Sequence, residues 1–308
     1  MSEPTRRRFA QLSGAVLGSL ALTPTALGCT KPAAPVSMQT RPIPRTGERL
    51  PVIGMGTWQT FDVSGRRARA SRQAVLQAFF DAGGRVIDSS PMYGRAEAMV
   101  GELLPRVSLA GRPFIATKVW TTGRAEGIAQ MKASIRKMGG RVDLMQVHNL
   151  VDWREHLPTL RRWKDEGTIR YLGITHYRRS SFDQLEQIIK DESVDFVQLP
   201  YSLAMRDAES RLLPCAEHTG TAVLVMRPFE GGDLFRRVRG RPLPAWAREI
   251  DCHSWAQIFL KFVLGHPAVT CPIPATSKVE HLLDNVQAGT GAVPDAALRE
   301  RMIAALSA

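Results

Sequence analysis

From about residue 50 the chain alternates between short apolar runs and longer stretches with apolar residues on one side only. The runs are "VIGMGTW" (52–58), "RVIDSS" (85–90), "FIATKVW" (114–120), "VDLMQVHN" (142–149), "IRYLGIT" (169–175), "DFVQLPYS" (195–202), "AVLVMRP" (222–228) and "AVTCPIP" (268–274). Each is the length of a strand, and most are apolar at consecutive positions, as a sheet covered on both faces requires. Between them the pattern turns helical. Residues 68–83 place Ala74, Leu76, Ala78, Phe79 and Phe80 toward one side, and Gly83 ends the run. Residues 154–167, 181–191 (with Ser181 placed to cap) and 254–265 follow the same plan.

Strands recur about every thirty residues, the length of a strand–helix–strand unit. Eight such units over roughly 250 residues predict an α/β fold of the (β/α)8 TIM barrel class. An open, doubly wound sheet is the alternative. To hold a dinucleotide it needs a G-x-G-x-x-G turn after its first strand. Gly54-Met55-Gly56-Thr57-Trp58-Gln59 lacks the third glycine and opens no helix, so the barrel is preferred.

Composition adds little to the fold and something to the partners. Hydrophobic content is 44% and charged content 23%, which fits a globular core and excludes disorder. Of the net charge of +12, residues 1–28 supply +2 and the rest is spread over arginine-rich helices, with no basic tract interleaved with aromatics. That pattern speaks against nucleic acid and for a small anionic ligand.

The first thirty residues do not read as fold. "TRRRFAQ" (5–11) sets paired arginines ahead of Phe9, and a mildly apolar stretch follows. This is the pattern of a signal read by the twin-arginine export machinery, expected over residues 1–28. Gly14, Gly18, Ser19 and Pro24 interrupt the stretch, which is too short for a membrane span. "ALGC" (26–29) resembles a lipobox. Lipidation of Cys29 and plain cleavage beside it both fit, so the protein is expected in the periplasm or lipid-anchored at the cell envelope. Residues 29–40 read as a Pro/Ala linker, and 41–308 as the barrel. Cys215, Cys252 and Cys271 have no metal or redox spacing and read as buried free thiols.

Polar residues fall where the runs end. Asp88, Lys118, His148, Thr175 with His176, Gln198 and Arg227 all lie late in a run or just after one, and Tyr93 follows in the next loop. In a barrel these positions share the catalytic rim. Each alone has a plain reading: a turn-forming Asp, a Lys reaching for water, a hydrogen-bonded structural His. Together they make an acid–base set, in which Lys118 is expected to lower the pKa of the Tyr93 phenol.

These blocks, in this order, resemble the aldo-keto reductase superfamily: "VIDSSPMYGRAEAMVGELL", "ATKVW", "VDLMQVHN", "GTIRYLGITHY", "VQLPYS", "VMRPFEGGDL" and "PIPATSKVEHLLDNVQA". The resemblance spans about residues 40–290. It implies reversible NAD(P)H-dependent reduction of a carbonyl, with Asp88, Tyr93, Lys118 and His148 as the catalytic set and Tyr93 as proton donor. It also implies that Thr175, His176, Gln198 and Arg227 contact the nicotinamide end of the cofactor. Thr276, Ser277, Lys278, His281, Asp284 and Asn285 would contact its adenosine end. Thr175-His176 stands where Ser-Asn is usual, and His281 where an arginine clamps the 2′-phosphate, so NADPH is favoured and NADH stays open. Trp58, Met92 and Trp120 would form the mouth for a small-molecule carbonyl substrate. No metal is implied. The competing class is an exported nucleotide-binding barrel with a sensing or interaction role and little turnover.

Overall fold

The computed structural model describes residues 38–109 and 111–307. The predicted export signal (1–28), Cys29 and most of the linker lie outside the described residues. Thr40, the last residue of the predicted linker, opens the first strand.

A short antiparallel hairpin comes first: β1 (Thr40–Pro42) pairs with β2 (Arg49–Pro51). Four parallel strands and the helices after them follow in strict alternation. They are β3 (Met55–Gly56) with α1 (Arg66–Asp81), β4 (Val86–Asp88) with α2 (Ala96–Leu103), β5 (Phe114–Val119) with α3 (Arg124–Lys137), and β6 (Leu144–His148) with α4 (Trp153–Asp165). The second half runs β7 (Tyr171–Thr175), α5 (Phe182–Glu192), β8 (Phe196–Pro200), α6 (Leu212–Thr219), β9 (Ala222–Met226) and α7 (Asp233–Arg237). It ends with α8 (Trp255–Leu264), β10 (Val269–Pro272), α9 (Val279–Gln287) and α10 (Ala296–Ser307).

The eight parallel strands pair in sequence order, from β3 to β10. The sheet then closes on itself. Gly54 N donates to Pro272 O (2.9 Å), Gly56 N donates to Pro274 O (3.1 Å), and Gly56 bridges Ala275. This seam needs its glycine, because a Cβ at Gly56 would sit 2.8 Å from Ile273 O. Each predicted run contains one barrel strand, and the fold is the predicted (β/α)8 TIM barrel.

Two details depart from expectation. In α1 the buried face is Val75, Leu76, Phe79 and Phe80, while Ala74 is exposed. A stripe that advances by 3.6 residues selects 75 and 76 with 79 and 80, and the larger side chains take it. Ser181 precedes α5 but makes no side-chain cap. It ends a 3-10 turn, Arg179–Ser181, with φ −100° and ψ 5°, away from the extended geometry a capping side chain needs. Ser254 does cap α8, accepting from Gln257 N at 3.1 Å.

The core has two parts. The larger lies between strands and helices. The smaller fills the barrel: Val86, Phe114, Leu144, Tyr171, Phe196 and Ala222, each the first residue of its strand, pack with Ile43 and Leu50 of the hairpin. The hairpin therefore plugs the N-terminal end. Glu48 secures it, accepting from the Tyr171 hydroxyl (2.7 Å) and pairing with Arg170.

Candidate active site

Side chains alternate across a strand, so the apolar plug predicts what stands above it. Counting by two from Val86, Phe114, Leu144, Tyr171 and Phe196 reaches Asp88, Lys118, Gln146 then His148, Thr175 and Gln198. All six are buried. The barrel interior is thus apolar at one end and polar at the end where the strands finish.

The polar layer is built around Asp88. Lys118 Nζ donates to Asp88 Oδ2 (2.6 Å) and to Ser89 O (2.7 Å). Gln146 and Gln198 turn their amide groups to the other oxygen, donating to Asp88 Oδ1 at 3.1 and 2.9 Å. A buried carboxylate needs such donors, and here every oxygen has one. Lys118 does not snorkel; its side chain is fully enclosed. Burial pulls the ammonium toward neutrality, but Asp88 and then Tyr93 outweigh it, and the Lys118 pKa rises.

Tyr93 enters from the loop after β4, with Lys118 Nζ 5.2 Å from its ring centroid. Its backbone is set by a tight turn, Tyr93 N donating to Ser90 O (3.0 Å) and Ala96 N to Tyr93 O (3.1 Å). Gly94 takes φ 58° there, and a Cβ on it would meet the Asp62 carboxylate at 2.4 Å. That carboxylate accepts from Arg95 N (3.0 Å). Burial raises the Tyr93 pKa most; Lys118 lowers it, as expected, but Asp88 raises it again, and the net shift is upward where the lysine alone would have taken it down. The phenol is held in its proton-bearing form.

His148 stands edge-on to Tyr93, with ring centroids 5.7 Å apart at 87°. Burial, then the charges of Lys118 and His176, push its pKa down to about 2, so the ring is neutral. Its Nδ1 lies 2.8 Å from the Ser90 hydroxyl, which also accepts from Met92 N at 3.3 Å. His176 is lowered as well, by burial and then by Arg178, and its Nδ1 accepts from Arg178 N at 3.0 Å.

Around this centre the other predicted residues divide by strand. Trp58, Met92 and Trp120, on the loops after β3, β4 and β5, are 48, 38 and 42% exposed, apolar surface on the loops that follow these strands. The Thr175 Oγ1 is buried without a hydrogen-bond partner, facing the same layer as Gln198. Arg227 follows β9 exposed and at φ 55°, one of several left-handed residues, with Gln59, Asn149 and Leu150, in loops at the strands' C-terminal ends.

Thr276 turns the chain into α9, its Oγ1 accepting from Lys278 N (3.2 Å). Lys278 and His281 are exposed at the start of that helix. Ser277 O accepts from Ser71 Oγ and from Arg72 Nη1, both at 3.4 Å. Asp284 commits both oxygens to α8, accepting from Ser254 Oγ (2.8 Å) and Gln257 Nε2 (2.6 Å), beside the buried Asn285.

A family model for the aldo/keto reductase family matches residues 52–300. The chain belongs to that family. It is an NAD(P)H-dependent oxidoreductase. Among individual proteins, an oxidoreductase of Schizosaccharomyces pombe is 33% identical over 159 residues, half of this chain and half of that protein. The NADH-specific methylglyoxal reductase of Escherichia coli is 23% identical, over 68% of this chain and 73% of that protein. The L-glyceraldehyde 3-phosphate reductase of Escherichia coli is 25% identical, over 82% and 87%.

Solved aldo-keto reductases share the fold. A thermostable one in complex with the inhibitor epalrestat superposes with TM-score 0.72 at 23% identity, covering 87% of this chain and 100% of the other. One from Klebsiella pneumoniae in complex with NADPH gives 0.69 at 24%, covering 87% and 95%.

Three contributors escaped the sequence reading. Gln146 sits inside an apolar run, and counting by two from Leu144 would have put it on the face of His148. Ser90 lies in the same stretch as Asp88 and Tyr93, and Arg72 sits on a surface helix with no signal at all.

Proposed function

We propose that the chain reduces an aldehyde or ketone to an alcohol with NADPH as preferred cofactor, and that Tyr93 gives the proton. The observation that carries this is a phenol kept protonated beside a buried Lys118–Asp88 pair, at an apolar mouth. The cofactor, when bound, supplies the hydride. The chain supplies the rest. Trp58, Met92 and Trp120 exclude water from the substrate. Tyr93 donates its proton to the carbonyl oxygen as charge develops there. Lys118 stabilises the phenolate left behind, and Asp88 holds Lys118 in place. His148, neutral, steadies the same oxygen through an N–H.

The residues fit a nicotinamide cofactor. The unpartnered Thr175 Oγ1 is a ready partner for a carboxamide, with Gln198 and His176 beside it on the rim and Arg227 able to stack. Lys278 and His281 at the first turn of α9, with Arg72 bound to the preceding loop, offer positive charge for a 2′-phosphate. The arginine pair at Arg6-Arg7 supports export by the twin-arginine route, with the folded enzyme carried to the periplasm or anchored through Cys29.

Purified protein should oxidise NADPH when given a simple aromatic aldehyde or a dicarbonyl. A protein that binds no NADPH by fluorescence quenching, and turns over none of a broad carbonyl panel, refutes the enzymatic reading. Fractionation of cells carrying the full chain tests export, and substitution of Arg6 and Arg7 by Lys should hold the protein in the cytoplasm.

A further inference from the structure

We propose that Ser90 is a positioning residue that keeps the proton of His148 on Nε2, so that the ring offers the carbonyl oxygen an N–H and not a lone pair. This rests on the reductase reading and names how one of its groups is set.

The Ser90 hydroxyl is fully buried, with Oγ 2.8 Å from His148 Nδ1. A hydroxyl has one proton to give, and which atom receives it decides the tautomer. Ser90 Oγ already accepts from Met92 N at 3.3 Å. Among the described residues, the one other hydrogen-bond partner of this hydroxyl is His148 Nδ1, the one group there that can take its proton. The opposite assignment, Nδ1–H donating to Oγ, would leave a buried hydroxyl proton with nowhere to go, which is costly.

The groups around His148 do not compete. Tyr93 meets it edge to face, and Lys118 and His176 act on it only through charge, disfavouring a second proton. A neutral ring whose Nδ1 accepts must carry its hydrogen on Nε2. Without the serine the ring loses both its tautomer lock and its orientation.

The test is nitrogen NMR of protein labelled with 15N-histidine, with His148 assigned by comparison with a His148→Gln spectrum. The expected wild-type signature is a protonated Nε2 and an unprotonated, hydrogen-bonded Nδ1, unchanged from pH 5 to 8. In Ser90→Ala the Nδ1 resonance should move toward that of a free imine nitrogen. Its kcat should fall about five- to tenfold, the scale of one lost neutral hydrogen bond, with KM for the cofactor unchanged. Ser90→Thr should restore both.

A wild-type spectrum with the proton on Nδ1 overturns the proposal, and needs no variant to fold. So does a Ser90→Ala protein whose Nδ1 signal and kcat match wild type. The NMR state does not depend on turnover. A correct tautomer in a protein that consumes no NADPH would sink the reductase reading and leave the Ser90 assignment standing.

Discussion

Replacing Lys118 by methionine keeps an unbranched side chain out to Cε and deletes the charged ammonium. The ammonium makes two hydrogen bonds, to Asp88 Oδ2 at 2.6 Å and to Ser89 O at 2.7 Å, and both charged partners are enclosed. After Lys118→Met, Asp88 keeps only the amides of Gln146 and Gln198. Breaking a buried pair from one side costs about 3–5 kcal/mol, because a charge is left without its counterpart. That is about a fifth or more of the roughly 5–15 kcal/mol by which domains are stable.

Removing the second charge as well should recover part of the loss. The double variant Asp88→Asn/Lys118→Met is expected to be no less stable than Lys118→Met alone, a coupling of about 3 kcal/mol. Urea unfolding followed by tryptophan fluorescence measures all four corners of the cycle. Two results refute this account: a Lys118→Met loss below about 1 kcal/mol, which is the worth of an exposed pair, or strictly additive losses.

Three further outcomes follow from the same geometry. Tyr93→Phe should lower kcat/KM by about 10² to 10⁴, the range for a lost proton donor, while thermal unfolding stays close to wild type; an active variant would show the proton comes from elsewhere. His148, with its pKa near 2 against 6.5 when unfolded, takes a proton in the unfolded chain first as pH falls. Its stabilising contribution is complete above pH 6.5 and declines toward pH 2, by at most about 1.4 kcal/mol per pH unit, and kcat/KM should have no inflection near pH 6.5; an inflection there would mean that the ring titrates. Gly94→Ala forces a left-handed alanine against the Asp62 carboxylate and should cost more than about 1 kcal/mol in unfolding experiments and lower kcat as Tyr93 moves; a variant matching wild type in both would remove the turn's role in placing the phenol.

Much of this was legible from residue order. Every barrel strand lies inside a run recognised by apolar character alone, and the acid–base set fell at the run ends because strands in this fold deliver side chains there. What escaped was set by tertiary context. The hairpin strands are three residues each, too short for any period to register. The upward shift of Tyr93 depends on how deeply the loop tucks it in, whereas the sequence offered only the neighbouring lysine. Ser181 has the composition of a cap and the wrong backbone angles.

The hairpin plug has one more consequence. With Ile43 and Leu50 seated among the first inward residues of the strands, the described residues close that end of the barrel, and the polar layer around Asp88 lies toward the other. Under the proposed reaction, cofactor and carbonyl would both have to reach the layer above Asp88 and Lys118 from the end where the strands finish, because the opposite end is filled by side chains.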